Sequence, residues 1–238
     1  MYKAYQLFVV LPLGLLLTAV ASVVMGVGCI LGNPRFWGYW PMRIWSVGIC
    51  RLLLLPVEVV GREHLQKGQS YVFIANHQGA FDIFLIAGYL HWPFKWLMKA
   101  SLRRIPFVGW ACEKAGFIFV DKSSRTGIVN TIRGAKTALR GGASLAIFPE
   151  GARTFTGQMG EFHKGSFLIA SQIGLPLVPL TIDGSFDVLP RQRGFNFVER
   201  HSMRLVIHAP ILPGDDALLS SYNIIKGDLP AESHAAEA

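Results

Sequence analysis

Two groups of residues in this chain could do chemistry. His77 closes a short apolar run, and Asp82 lies five positions beyond it. An imidazole with a carboxylate partner can accept a proton from a hydroxyl group. The partner fixes the tautomer through one ring nitrogen and leaves the other as base. The second group, Phe148-Pro149-Glu150-Gly151-Ala152-Arg153, follows another apolar run. Its Arg153 can fork onto phosphate or carboxylate, and Gly151 lets backbone approach a ligand closely. Each group also has a plainer explanation. Asp82 can be a helix-start residue and His77 a polar loop residue, and the second group can be a surface loop with a Glu/Arg pair.

Spacing narrows how the first pair could work. On a continuous helix, residues five apart are turned by about 140° and do not face each other. His77 must therefore sit in a loop and Asp82 in the first turn of the next helix, with Gly79 supplying the bend. The flanks suit that junction. Residues 71–75 are aromatic and β-branched and read as a buried strand, and 81–89 are apolar enough for a packed helix. Further strands are expected at 57–61, 116–120, 144–148, 177–182 and 204–208. Helices are expected at 126–139, which ends at Gly141-Gly142, and at 164–173, which ends at Gly174. The stretch 97–109 is mixed, basic and interrupted by Pro106. Short apolar strands alternating with helices predict an α/β fold with a mixed, largely parallel sheet flanked by helices. In such sheets functional residues gather beyond the carboxyl ends of strands, which is where His77 and Glu150 fall.

The N-terminus is of another kind. Only 16% of the 238 residues are charged, against about a quarter in an ordinary soluble domain, and residues 4–33 carry no charged side chain. About 20 apolar residues in a helix suffice to cross a bilayer core, so this segment can span or deeply enter a membrane. Ala19-Val20-Ala21 resembles a signal-peptide cleavage site, but the apolar run continues well past it, which suits an uncleaved anchor better. Residues 37–60 mix Trp37, Trp40 and Trp45 with Arg43 and Arg51, as expected of a helix lying in the interface. A second spanning helix with snorkelling arginines is the alternative. The net charge of +8 reads as attraction to anionic headgroups, and no nucleic-acid motif accompanies it. Arg35, Arg43 and Arg51 after the anchor outnumber Lys3 before it, which favours a cytoplasmic catalytic domain. Cys29, Cys50 and Cys112 form no CxxC pair and no zinc spacing. The expected organisation is an anchor over 1–56, a catalytic domain over 57–215 and a partly disordered tail over 216–238.

Taken together and in order, the motifs resemble the glycerolipid acyltransferase family, and most closely its 1-acyl-sn-glycerol-3-phosphate (lysophosphatidic acid) acyltransferases. Asn76, His77 and Asp82 match the family's NHxxxxD. Gly116-Phe117-Ile118-Phe119-Val120-Asp121-Lys122 resembles its second motif, with Lys122 where Arg is usual. That change replaces a bidentate fork by a point charge. Residues 148–153 match FPEGTR, with Ala152 where Thr is usual, and Leu175-Pro176-Leu177-Val178-Pro179-Leu180 resembles the fourth motif. Phe162-His163-Lys164-Gly165 and the basic stretch 99–109 add to the likeness, which covers about 57–210.

The resemblance implies transfer of a fatty acyl group from acyl-CoA or acyl carrier protein to the sn-2 hydroxyl of lysophosphatidic acid, giving phosphatidic acid. It makes His77 the general base and Asp82 its orienting group. Glu150, Gly151 and Arg153 would hold the acceptor's head, with Lys99 and Lys122 as further phosphate contacts. No bound cofactor or metal is expected, and the partners are a lysophospholipid, an acyl thioester and the bilayer of an inner, cytoplasmic-type membrane. Another lysolipid acceptor, a thioester-independent transacylase and a non-catalytic lipid-binding protein are the competing readings. The motif holds no Ser or Cys nucleophile, which agrees with direct transfer without an acyl-enzyme.

Overall fold

Tyr71, Phe73 and Ala75 face one way from their strand and Val72 and Ile74 the other, and all five are buried. A strand covered on both faces belongs at the centre of a sheet with helices on each side. The computed structural model, which describes residues 1–120, 131, 133–137, 139, 142–191 and 196–230, has that sheet. In chain order the elements are helices α1 (Tyr2–Leu31) and α2 (Trp40–Leu52), strands β1 (Val57–Val60) and β2 (Val72–Ala75), and helix α3 (Asp82–Tyr89). Strand β3 (Phe94–Lys99), helix α4 (Val108–Lys114), and strands β4 (Ile118–Val120) and β5 (Ser144–Ile147) follow. Helix α5 (Lys164–Ile173), strands β6 (Leu177–Asp183) and β7 (Met203–Ile207), and helix α6 (Ala217–Asp228) follow among the described residues.

The strand order is β1-β7-β6-β2-β5-β3-β4. The five strands from β6 to β4 are mutually parallel. β7 runs antiparallel to β6 and parallel to β1, so the sheet is mixed and largely parallel. Helices α1 to α4 cover one face, where Phe73, Leu85, Leu180 and Cys50 pack. Helices α5 and α6 cover the other, where Val72, Ile147, Ala170 and Ile225 pack. Burying a large apolar side chain of this kind contributes roughly 1.5–3 kcal/mol, so the central strand is fixed from both sides.

Two elements depart from the sequence reading. β3 carries Lys95 and Lys99 within its run, which hides the alternation. Lys95 is accommodated because its Nζ donates to the Ala115 carbonyl, while burial lowers its pKa. The expected tail contains α6, whose Ala217, Ser221 and Ile225 are buried at the spacing of one helical face. Residues 231–238 lie outside the described residues, as do Asp121, Lys122 and the start of the expected 126–139 helix.

Helix α1 is the one helix among the described residues long and apolar enough to cross a membrane. α2 has 13 residues, about 20 Å of helix, and is too short for a core of about 30 Å. The body of the protein holds α1 along its length. Tyr2 and Tyr5 donate their hydroxyls to the carbonyls of Leu53 (2.6 Å) and Leu52 (2.8 Å). The Gln6 side chain exchanges two hydrogen bonds with the Val198 backbone, of 2.7 and 2.8 Å. Trp45 donates to Thr18 at 2.9 Å, and Gly26 packs directly on the Trp110 ring. Phe8, Leu11, Leu15, Val23, Val27 and Ile30 are exposed along the outward side.

Candidate active site

Three adjacent parallel strands, β6, β2 and β5, end side by side, and the residues just beyond them converge. Asn76 makes the first connection. Its side-chain amide donates to the Ile182 carbonyl and accepts from the Ile182 N–H, both at 2.8 Å. A carboxamide can do both at once, so it extends the β2–β6 ladder by one step after the backbone has turned away. This fixes where His77 leaves the sheet.

The structure brings His77 and Asp82 together. His77 is in the loop and Asp82 is the first residue of α3, and Nδ1 lies 2.7 Å from Oδ2. The His77 side chain is 14% exposed and that of Asp82 is 0% exposed, so only the imidazole reaches outward. Its ring stacks on Phe148 at 3.9 Å and 11°, and Trp96 stacks behind Phe148. The ring plane is thus set by packing and its rotation by the carboxylate.

Asp82 is held by more than His77. The Gly79 N–H donates to Oδ2 at 3.0 Å, and the Ser185 hydroxyl donates to Oδ1. Ser185 is fully buried and follows β6 after Gly184. Gly79 is required here by close approach, because a Cβ would lie 2.3 Å from the Ser185 carbonyl oxygen. In the sequence Gly79 stands out only as a bend and Ser185 does not stand out. The clue available was position, since Ser185 lies just past a strand end, as His77 and Glu150 do.

Glu150 is placed differently from the other acceptor-site candidates. Its Oε1 accepts the His77 N–H at 2.6 Å and its Oε2 accepts the Gly160 N–H at 2.8 Å. Both oxygens therefore tie backbone segments together, and the side chain is buried. Burial pushes the carboxyl up to about 7, against the opposing pull of the two N–H donors. Gly151 has φ +72°, a conformation that favours glycine whatever its contacts. Arg153 is half-buried, and its side chain has no ion-pair partner among the described residues. Its carbonyl accepts from Arg191 at 2.7 Å, and Arg191 stacks on Phe155. Lys99 is exposed at the carboxyl end of β3, on the same sheet edge.

A serine hydroxyl, a buried carboxylate and an imidazole with one outward nitrogen form a chain able to accept a proton at one defined atom. The chain is similar in sequence and in fold to proteins of known activity. The 1-acyl-sn-glycerol-3-phosphate acyltransferase BAT2 of Brassica napus chloroplasts is 28% identical over 207 residues, 82% of this chain. The 1-acyl-sn-glycerol-3-phosphate acyltransferase of Saccharomyces cerevisiae is 32% identical over 180 residues, 74% of this chain. The chain spans 59% of the length of each of these relatives. The crystal structure of the 1-acyl-sn-glycerophosphate (LPA) acyltransferase PlsC from Thermotoga maritima superposes with a TM-score of 0.77, at 25% identity over 95% of both chains. The family model described as Acyltransferase matches residues 56–183, more than half of the 238, and the chain belongs to the acyltransferase family.

Proposed function

We propose that this protein transfers a fatty acyl group from acyl-CoA or acyl carrier protein to the sn-2 hydroxyl of lysophosphatidic acid. The observation that carries the reading is the His77–Asp82 pair, with a buried carboxylate on Nδ1 and the imidazole reaching outward. Asp82 accepts a hydrogen bond from Nδ1–H, which keeps the proton on Nδ1 and leaves the Nε2 lone pair available to the acceptor hydroxyl. As Nε2 takes that proton, the hydroxyl oxygen attacks the thioester carbonyl. The new C–O bond forms, the C–S bond breaks, and the leaving thiolate recovers the proton from the imidazolium. Asp82 stabilises the imidazolium in between, and Ser185 and Gly79 keep Asp82 aimed.

Arg153 is the phosphate contact in this reading, with Lys99 as a second cation on the same edge and Lys122 as a third candidate. Glu150 acts at one remove, by holding the His77 backbone. The lipid acceptor fits a protein lying on a membrane. Both ends of α1 are fastened to the same body, at Leu52, Leu53 and Val198 and at Trp110. A helix so fastened lies in one leaflet with its apolar side down, so the acceptor need not leave the bilayer. The thioester arrives from the cytoplasm. An acyl-transfer assay with lysophosphatidic acid and acyl-CoA, comparing wild type with His77→Ala, tests the reading. Free thiol release by wild type and none by the variant supports it. Wild-type-like turnover in the variant removes His77 as base.

A further inference from the structure

Helix α3 joins the two edges of the parallel sheet. Asp82 at its start belongs to the site above, and His91 lies just past its end. Its eight residues span about 12 Å, so what His91 helps to form is separate from the catalytic pair. His91 lines a cavity of about 470 Å³ together with Arg35, Arg43, Phe36, Tyr39 and Trp40. Pro93 in its wall precedes β3, which places the cavity at the amino-terminal edge, opposite His77.

The lining is cationic and contains no Asp or Glu. Arg43 donates from Nε to the Gly88 carbonyl at 3.3 Å, and its Nη2 lies 2.7 Å from His91 Nε2. Its guanidinium also lies over the Trp40 ring, 5.1 Å from the centroid. These contacts fix the guanidinium but do not neutralise it, because a carbonyl, an imidazole and an indole carry no negative charge. Arg43 can only donate, so His91 accepts at Nε2 and keeps its own proton on Nδ1. Burial first, then Arg43 and Arg62, hold the His91 pKa below its ordinary value, consistent with a neutral ring. Arg35 is fixed on a third segment, with Nη2 donating to the Gly142 carbonyl at 3.0 Å.

The rim has the opposite character. Phe36 and Trp40 line the cavity and are 49% and 39% exposed, and Ile44, one turn beyond Trp40, is 62% exposed. Pre-positioned guanidinium groups suit a phosphate, and exposed aromatic and aliphatic rims suit an acyl chain at the membrane interface. A single amphiphile satisfies both.

We propose that this cavity binds the phosphate of an anionic phospholipid, as a second lipid site on the sheet edge opposite His77. The proposal rests on the membrane-surface reading of α1. The shared chemistry is a phosphate ester, so inorganic phosphate or the phosphates of free CoA are the rival sources. The test uses the full chain and vesicles of phosphatidylcholine, alone or with about a fifth of phosphatidylglycerol. Co-sedimentation of wild type, Arg43→Gln and Arg35→Gln is measured, with thermal unfolding to confirm that each variant folds. Near-surface arginines contribute about fivefold each to anionic-membrane partitioning. Each variant should therefore lose about fivefold of the preference for anionic vesicles, bind neutral vesicles as wild type does, and retain transfer to detergent-dispersed acceptor. Hydrogen exchange across 33–43 and 88–93 should slow with anionic vesicles and stay unchanged with inorganic phosphate or CoA. Unaltered anionic preference in both folded variants overturns the proposal, as does equal protection by phosphate or CoA. Failure of wild type to bind any vesicle overturns the membrane-surface reading and the lipid site with it, while leaving the His77 assay unaffected.

Discussion

Two histidines flank α3, one at each edge of the sheet, and each lies 2.7 Å from a charged partner. At His77 the partner is a carboxylate. It can only accept, so the proton stays on Nδ1 and Nε2 keeps its lone pair. At His91 the partner is a guanidinium. It can only donate, so the Nε2 lone pair is consumed and the ring is left as a donor through Nδ1. The same residue type at the same separation is left with a free ring lone pair at one edge and with only a donor at the other, which are the properties the proposed base and the proposed anion site need. The sign of the partner decides what an imidazole can do, and proximity alone does not.

The comparison breaks most easily at the largest effect. His77→Ala should reduce acyl transfer by about 10²–10⁴-fold or more, the usual contribution of a positioned base, whereas His91→Ala should stay within about twofold of wild type. Initial thiol-release rates measure both, and comparable losses would abolish the distinction. Ser185→Ala sharpens it next. A hydrogen bond to a charged group contributes about 1.5–3 kcal/mol, so kcat should fall about ten- to a hundredfold with the acceptor KM unchanged. A rise in KM alone would make Ser185 part of the acceptor site. Arg153→Ala should do the reverse, raising the acceptor KM about tenfold with little change in kcat. An unchanged KM would remove Arg153 from phosphate binding.

The smallest effect is on stability. Burial pushes the Glu150 carboxyl up to about 7 in the folded protein, above its ordinary 4.5, so between those values the folded state should bind more protons than the unfolded state. Stability should therefore fall as pH rises from about 4.5 to 7, by at most about 1.4 kcal/mol per pH unit from this group. Thermal unfolding of wild type against Glu150→Gln at several pH values isolates that slope. An identical pH dependence in the variant would mean that Glu150 does not carry it.

Much of the site was legible because its signals are local. The apolar run at 71–75, the turn at Gly79 and the helix after it follow from strand and helix patterns over a few residues. They let His77 and Asp82 meet only across a strand–loop–helix junction. β3 was illegible because Lys95 interrupts its pattern, and only the Ala115 carbonyl, 20 residues away, explains why a lysine is tolerated there. α6 is hidden in the sequence because its polar composition outweighs three buried positions whose partners lie elsewhere in the chain. Nothing nearby in sequence reveals that each Glu150 oxygen accepts a backbone N–H, from His77 and from Gly160.

The sequence by itself determined the α/β class, the apolar N-terminal helix and the five-residue spacing that lets a histidine meet a carboxylate. Each depends on periodicity and turn chemistry within one short stretch. Tertiary structure decided the rest. It set Ser185 against Asp82 across 103 positions, Glu150 under His77 across 73, Gln6 beside Val198 across 192 and Arg43 against His91 across 48. Such contacts depend on which strand ends lie side by side and how the helices pack over them. Whether a histidine's neighbour accepts or donates is settled by that packing.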